Sequence, residues 1–304
     1  HTPGDQRVTI PACIRRSGIL ALVWLGVFAL PVAGAAIVVE DFTGRTVQLE
    51  APAQRIVALA PDIVENVFSA GAGTKLVGAV AYSDYPSGAS AIPRVGNFQS
   101  WSIEAVVALK PDLVILWGSG NGTGSLAVFE QLGIPVFVSE LRQLSDIPSI
   151  IRAIGTLAGT EATSAREATR LENAFEALRL EYSRDDPVSV FYQIWNEPLQ
   201  TVNGEHLISQ LIALCGGYNV FGDAPSLAPK INIEAVLARD PEAIVASGMA
   251  TARPEWLDDW RRYTSLRAVD ADALFFVPPD YLQRPTARIL TGATTLCAQL
   301  AGVR

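Results

Sequence analysis

Two stretches of this chain share nearly the same pattern of apolar and polar positions. "SIEAVVALKPDLVILWGSG" runs over 102–120 and "NIEAVLARDPEAIVASGMA" over 232–250, so that Glu104 matches Glu234 and Pro111 matches Pro241 at a constant offset of 130. Each begins as a short amphipathic helix: Ile103, Val106 and Val107 fall at helical spacing, as do Ile233, Val236 and Leu237. Lys110-Pro111 and Asp240-Pro241 then stop the helix, because a residue before proline is driven out of the right-handed helical region. The apolar runs "LVILW" and "AIVAS" come next, as expected of parallel strands covered on both faces. A repeat this distant is too long for a solenoid and predicts two similar α/β lobes.

The rest of the pattern fits that reading. "VVEDFTGRTVQL" predicts a hairpin turning at Thr43-Gly44, and "RIVALAP" a buried strand. "DIVENVFSAGAG" predicts a helix with Asp62 as N-cap and Gly71 as its stop. Helix, turn and strand succeed one another in "VFEQLGIPVFVSE". The alternation stops at 146–184, which reads as helix throughout with a break near Gly159-Thr160. Residues 161–183 lack Gly and Pro and would make a helix about 34 Å long at about 1.5 Å per residue. Alternation resumes with the strand "VSVFYQIW" and the helices "HLISQLIALC", "PEWLDDWRRYTSL" and "TARILTGATTLCAQLAGV". The expected architecture is α/β: two Rossmann-like lobes with central parallel sheets, 36–145 and 185–304, joined through 146–184 by one long α-helix.

Residues 1–35 stand apart. Arg15 and Arg16 precede an apolar run that ends in small residues, with Ala33-Gly34-Ala35 as a cleavage site. That is the pattern of a secretory signal cut near Ala35. A membrane anchor is the alternative, although the run is short for a span of about 20 apolar residues. The net charge of the 304 residues is −8. No basic stripe is present to neutralise phosphates, which argues against a nucleic-acid partner. Cys13 precedes the apolar run, leaving Cys215 and Cys297. One pair in an exported chain invites a disulfide, the alternative being two buried thiols.

Several chemistries are excluded. The only histidines are His1, in the leader, and His206, at a predicted helix start where capping or packing is its expected role. No zinc site built on several imidazoles can form. No G-x-S-x-G elbow is present, and "GSGNGTGS" at 118–125 matches neither phosphate-loop pattern and reads as a loop at a lobe edge. What is present is aromatic and falls at predicted strand ends: Tyr82, Tyr85, Phe98, Trp101, Trp117, Trp195 and Tyr281. Ligands of α/β sheets bind beyond the carboxyl ends of strands, so these rings are placed to line a cleft between lobes. Core packing of each ring is the bland alternative. Such a cleft suits a large, flat, mostly uncharged ligand.

The phrases "RIVALAP", "YSDYP", "IEAVVALKPDLVILW", "LCGGYNVF", "IEAVLARDPEAIV" and "RPTARILTGATTLC" carry a resemblance over about 38–303. The chain resembles the periplasmic B12-binding receptors of bacterial ABC importers, a helical-backbone class shared with ferric-siderophore and haem receptors. The resemblance implies a periplasmic carrier, not an enzyme, monomeric when free, that takes a corrinoid such as cobalamin as transported ligand and needs no cofactor or protein-bound metal. It places Tyr85, Phe98, Trp117, Asp280 and Arg284 on the ligand, with Trp195 and Tyr281 nearby, and pairs Cys215 with Cys297. It also implies that Glu104 and Glu234, one per lobe, dock on arginines of a permease homodimer in the inner membrane. One departure is visible: the family's tryptophan before the second glutamate helix is missing from "SLAPKINIE", where Leu227 and Ala228 stand. The alternatives are a siderophore or haem receptor of the same class and, from another class, an exported α/β hydrolase.

Overall fold

A computed structural model describes residues 36–248 and 252–303, with scattered positions before residue 10. The chain divides into two units, 1–34 and 35–304. The expected cleavage point near Ala35, and the expected leader from residue 10 onward, lie outside the described residues. Every described strand and helix belongs to the second unit.

That unit opens with a hairpin, β1 (Ile37–Glu40) and β2 (Thr46–Leu49). The Asp41 carboxylate accepts the backbone N–H groups of Thr43 and Arg45 at 2.9 and 3.0 Å, and Gly44 supplies the left-handed turn residue at φ +81°. Next come β3 (Ile56–Ala58), α1 (Pro61–Ser69), β4 (Leu76–Gly78), α2 (Ile103–Ala108), β5 (Leu113–Trp117), α3 (Gly118–Asn121), α4 (Leu126–Gln131) and β6 (Val136–Ser139). Their strands form one parallel sheet in the order β4-β3-β5-β6. Two helices come after it, α5 (Asp146–Ala158) and α6 (Glu161–Tyr182).

The second half is built from β7 (Val188–Gln193), a small hairpin of β8 (Trp195–Asn196) and β9 (Leu199–Gln200), α7 (Leu207–Leu214), β10 (Gly217–Asn219), α8 (Ile233–Arg239) and β11 (Ala243–Ala246). It ends with a 3₁₀ helix (Glu255–Arg262), α9 (Arg267–Asp270), β12 (Leu274–Phe276), α10 (Pro279–Leu282) and α11 (Ile289–Ala301). Its parallel sheet runs β10-β7-β11-β12. In both lobes the strand met first pairs with the second and third, and the fourth lies outside the third. The two lobes share one topology.

The match at offset 130 holds at atomic detail. Ser102 Oγ accepts the Ala105 N–H at 3.1 Å and caps α2; Asn232 Oδ1 accepts the Ala235 N–H at 2.9 Å and caps α8. At the other end of each helix, Lys110 (φ 48°) and Asp240 (φ 42°) both adopt the left-handed region before their prolines. Proline disfavours the helical conformation one residue upstream, and both lobes leave the helix by the same uncommon route.

The long helix α6 buries Ser164, Ala168, Leu171, Phe175 and Leu178, a stripe at alternating spacings of four and three, while charged residues cover its other faces. Its start packs closely on α5: a Cβ at Gly155 would fall 1.9 Å from Ser164 Oγ, so only glycine fits there. α5 also packs on α1 and β1 of the first lobe, whereas α6 reaches α7 and α11 of the second. Within 146–184, α5 thus packs chiefly on the first lobe, and α6 packs on α5 and on the second.

Local details differ from expectation. α1 starts at Pro61, and Ala60 occupies the cap position with no side-chain bond, so Asp62 lies inside the first turn instead of capping it. Proline suits the first helical position because its missing N–H is not needed there. "GSGN" in the glycine-rich segment makes the short α3 instead of a loop, and "EWLDDWRR" winds as a 3₁₀ helix.

Cys215, at the end of α7, is bonded to Cys297 in α11, with Cα atoms 4.4 Å apart and both residues fully buried. The bridge closes a segment of 82 residues entirely inside the second lobe. A cross-link over a loop of that size contributes about 4 kcal/mol in the chain-entropy picture. We expect Cys215→Ser to lower the unfolding free energy by about that amount. Superimposable urea-unfolding curves for the oxidised and reduced wild type would contradict this.

Candidate functional site

The two lobes meet where α1 of the first faces the loop between α10 and α11 of the second. On α1, Ile63, Val64 and Val67 are buried as an apolar helix face requires, yet Glu65 and Asn66 are buried among them, at 3% and 0% exposure. A carboxylate removed from water must be matched by charge and hydrogen bonds. The second lobe supplies them. Arg288 grips Glu65 with two bonds, Nε to Oε2 at 2.8 Å and Nη2 to Oε1 at 2.5 Å. Arg284 Nη1 reaches Oε1 at 3.1 Å and Thr286 Oγ1 donates to Oε2 at 2.9 Å. The adjacent Asn66 donates Nδ2–H to the Pro285 carbonyl at 3.1 Å.

Around this pair lie several of the residues expected on the ligand. The Arg288 guanidinium stacks 4.1 Å from the Tyr85 ring centre and 5.7 Å from that of Tyr281. Such cation–π contacts hold both partners in orientation. Asp280 lies 3.3 Å from Arg284 and 3.8 Å from Arg288, and Asp84 is 3.4 Å from Arg284. Tyr85, Asp280, Tyr281 and Arg284 thus form one group across the lobe boundary, with Tyr85 46% exposed.

Phe98 and Trp117 form a second group at the carboxyl end of β5, with ring centres 6.1 Å apart. Asn121 ties them down: its Nδ2 donates to the carbonyls of Leu59 and Phe98 at 2.9 and 2.6 Å, and its Oδ1 accepts the Trp117 N–H at 2.6 Å. Trp117 folds back over Gly120, where a Cβ would lie 1.9 Å from the indole. Trp195 joins neither group. It sits past the end of β7 in the β8–β9 hairpin, and its indole N–H donates to the Glu197 carbonyl at 2.9 Å.

Glu104 and Glu234 are both exposed and occupy the second position of α2 and α8, where the helix dipole favours negative charge. Ser102 Oγ–H donates to Glu104 at 2.7 Å and holds its carboxyl below the usual range. Each lobe also has a hollow beside its glutamate helix. One, of 390 Å³, is lined by Trp101, Ile103, Ser125 and Val128, in the seam of α2 and α4. The other, of 200 Å³, is lined by Ile233, Trp256, Trp260 and Tyr263, in the seam of α8 and the 3₁₀ helix. Ile103 and Ile233 are repeat equivalents, so the hollows occupy corresponding places.

Sequence reading overlooked Glu65 and the partnership it makes with Arg288. A signal was available: two adjacent polar residues inside the apolar run "DIVENVF". Asn121 was hidden in a glycine-rich stretch read as a loop. His206 caps α7, its Nδ1 accepting the Ile208 N–H at 3.1 Å, and burial pulls its pKa down to about 4. With that lone pair engaged, His206 is not poised as a general base.

Asp62 sits one turn before Glu65, and its pKa is pushed up to about 6, chiefly by burial and further by the Glu65 charge. The ordinary value is 3.8, so between the two pH values the folded state holds a proton that the unfolded state has lost. Stability therefore falls as pH rises through this window. Asparagine cannot titrate. We expect Asp62→Asn to gain about 2 kcal/mol relative to wild type between pH 4 and pH 7.5. Urea unfolding at both pH values checks this; an unchanged difference would show that Asp62 titrates as an ordinary aspartate.

The model of a family described as periplasmic binding protein matches residues 56–281. The chain is 34% identical to the vitamin B12-binding protein of Vibrio campbellii over 253 residues, covering 83% of this chain and 91% of that protein. It is 32% identical to the vitamin B12-binding protein of Yersinia pestis over 280 residues, covering 92% and 96%. Among solved structures, the periplasmic vitamin B12 binding protein BtuF of Vibrio cholerae aligns with a TM-score of 0.75 at 34% identity, covering 83% of this chain and 98% of that one. The periplasmic haem-binding protein RhuT of Roseiflexus aligns with a TM-score of 0.71 at 22% identity, a likeness of fold. The paired parallel-sheet lobes, the family match across most of both and the extended identity to these relatives together mean that this chain belongs to the periplasmic binding protein family.

Proposed function

We propose that this protein is a periplasmic carrier that captures cobalamin, or a closely related corrinoid, and delivers it to an ABC permease. The observation that carries the reading is the 34% identity to a vitamin B12-binding protein across 91% of that protein's length. The chemistry of the site supports it. Tyr85, Tyr281, Phe98 and Trp117 offer aromatic faces, which suit apolar contact with a broad, flat ring. Asp280 and Arg284 offer an acceptor and donors that suit peripheral amide groups. In this reading the cobalt stays in its corrin and the protein, a carrier and not an enzyme, forms no bond to it.

Glu104 and Glu234 are proposed as the contacts to the permease. Supporting this are their exposure, their identical helical positions and the shared topology of the lobes. A receptor with two like lobes can present the same charge twice to a twofold-symmetric partner. Charge pairs of this kind mainly govern orientation and encounter rate.

Mixing the protein with cyanocobalamin, desalting and recording the visible spectrum tests the ligand; we expect corrin absorbance to stay with the protein. Retention of haemin and not of cyanocobalamin would overturn the reading in favour of a haem carrier. For docking, we expect Glu104→Ala and Glu234→Ala each to leave cyanocobalamin binding intact but slow uptake into vesicles bearing the permease, and the double variant to slow it further. Undiminished uptake by the double variant would return both residues to ordinary solvated glutamates.

A further inference from the structure

We propose that Glu65 is a positioning residue: it touches no ligand, but it clasps the two lobes together and sets the pose of the arginine and tyrosine side chains at the site. This rests on the carrier reading given above. Glu65 is 3% exposed, and each of its two oxygens accepts two bonds, so no acceptor site is left for a ligand. All four donors come from residues 284–288 of the opposite lobe. Two of the bonds form the side-on fork of Arg288, the geometry in which a guanidinium is held most firmly. The other face of this guanidinium network carries the site: Arg288 lies over Tyr85, and Arg284, shared between Glu65 and Asp84 of one lobe and Asp280 of the other, is an expected ligand contact.

The consequence is a chain of dependence. Tyr85 belongs to the first lobe but is held by an arginine of the second, which in turn is held by Glu65 of the first. Apart from α6, this clasp is a direct tie between the lobes at the site, and it leaves little freedom for their relative rotation. Removing its charge leaves two guanidiniums without their buried partner and releases Tyr85. Loosening the side chains that contact a ligand shows mainly in dissociation, since variants of one binding site differ mostly in off-rate.

The test uses Glu65→Gln in the full chain. We expect cyanocobalamin affinity to fall about tenfold or more, the loss residing in the off-rate. A general loss of stability could lower affinity too, so the deciding readout is coupling. Tyr85→Leu should weaken binding in the wild type but cost several-fold less in the Glu65→Gln background, because the ring has already lost its holder. Additive losses would overturn the proposal. Should Glu65→Gln fail to fold, Arg288→Lys keeps the charge but not the fork and should show the same coupling. Spin labels at the exposed positions 108 and 238, one per lobe, give a measure that needs no ligand. Their distance distribution should broaden in either variant, and an unchanged distribution would sink the clasp. If wild type retains no cyanocobalamin, the ligand reading fails while this distance measurement still decides the clasp.

Discussion

A buried carboxylate is tolerable only where its charge is answered, and in this molecule the answer to Glu65 comes from another lobe. Its helix, α1, is otherwise apolar on the inner face, and the cations paired with Glu65 among the described residues both belong to the second lobe. Four donors from residues 284–288 complete it. The fork of Arg288, its stacking on Tyr85 and the sharing of Arg284 with Asp84 and Asp280 are all arranged around that one carboxylate. The surrounding charges are unequal: Asp62, Glu65, Asp84 and Asp280 face two arginines. The excess is relieved in part by the proton that Asp62 keeps to about pH 6.

The second organising constraint is repetition. Both sheets have the same strand order, both glutamate helices are capped by a side chain at the same repeat position, and both end in a left-handed residue before proline. What differs is what each lobe adds. The first contributes the hairpin of β1 and β2 and the loop holding Phe98 over Trp117; the second contributes the 3₁₀ helix, the β8–β9 hairpin and the disulfide. Shared architecture places Glu104 and Glu234 alike on their helices, while the added segments make the two lobes unlike.

Much of this was legible in the sequence because it rests on local rules. Period-two and period-3.6 patterning marked the strands and the long α6, prolines marked the helix stops, and the offset of the repeat marked the lobes. The cysteine pair was legible because an exported chain with two remaining cysteines has few alternatives. The clasp was not legible, since residues 65 and 288 are joined only by tertiary contact and no local pattern links them. The same limit explains Trp195: the run "VSVFYQIW" reads as one strand, but β7 ends at Gln193 and a second hairpin begins. The cap lies two residues upstream of Asp62, at Ala60, because Pro61 suits the first helical position.

The disulfide has an effect reaching beyond the lobe that contains it. Cys297 lies in α11, directly after the arginine loop, so the covalent bond anchors the segment that carries Arg284 and Arg288, while α1 and Tyr85 have no such anchor. Its hold passes into the other lobe through packing: one buried apolar cluster joins Cys215, Ile289, Leu296 and Cys297 to Ile56, Ile63 and Phe137. The staple therefore restrains the very segment that answers the Glu65 charge, from the lobe opposite to that carboxylate.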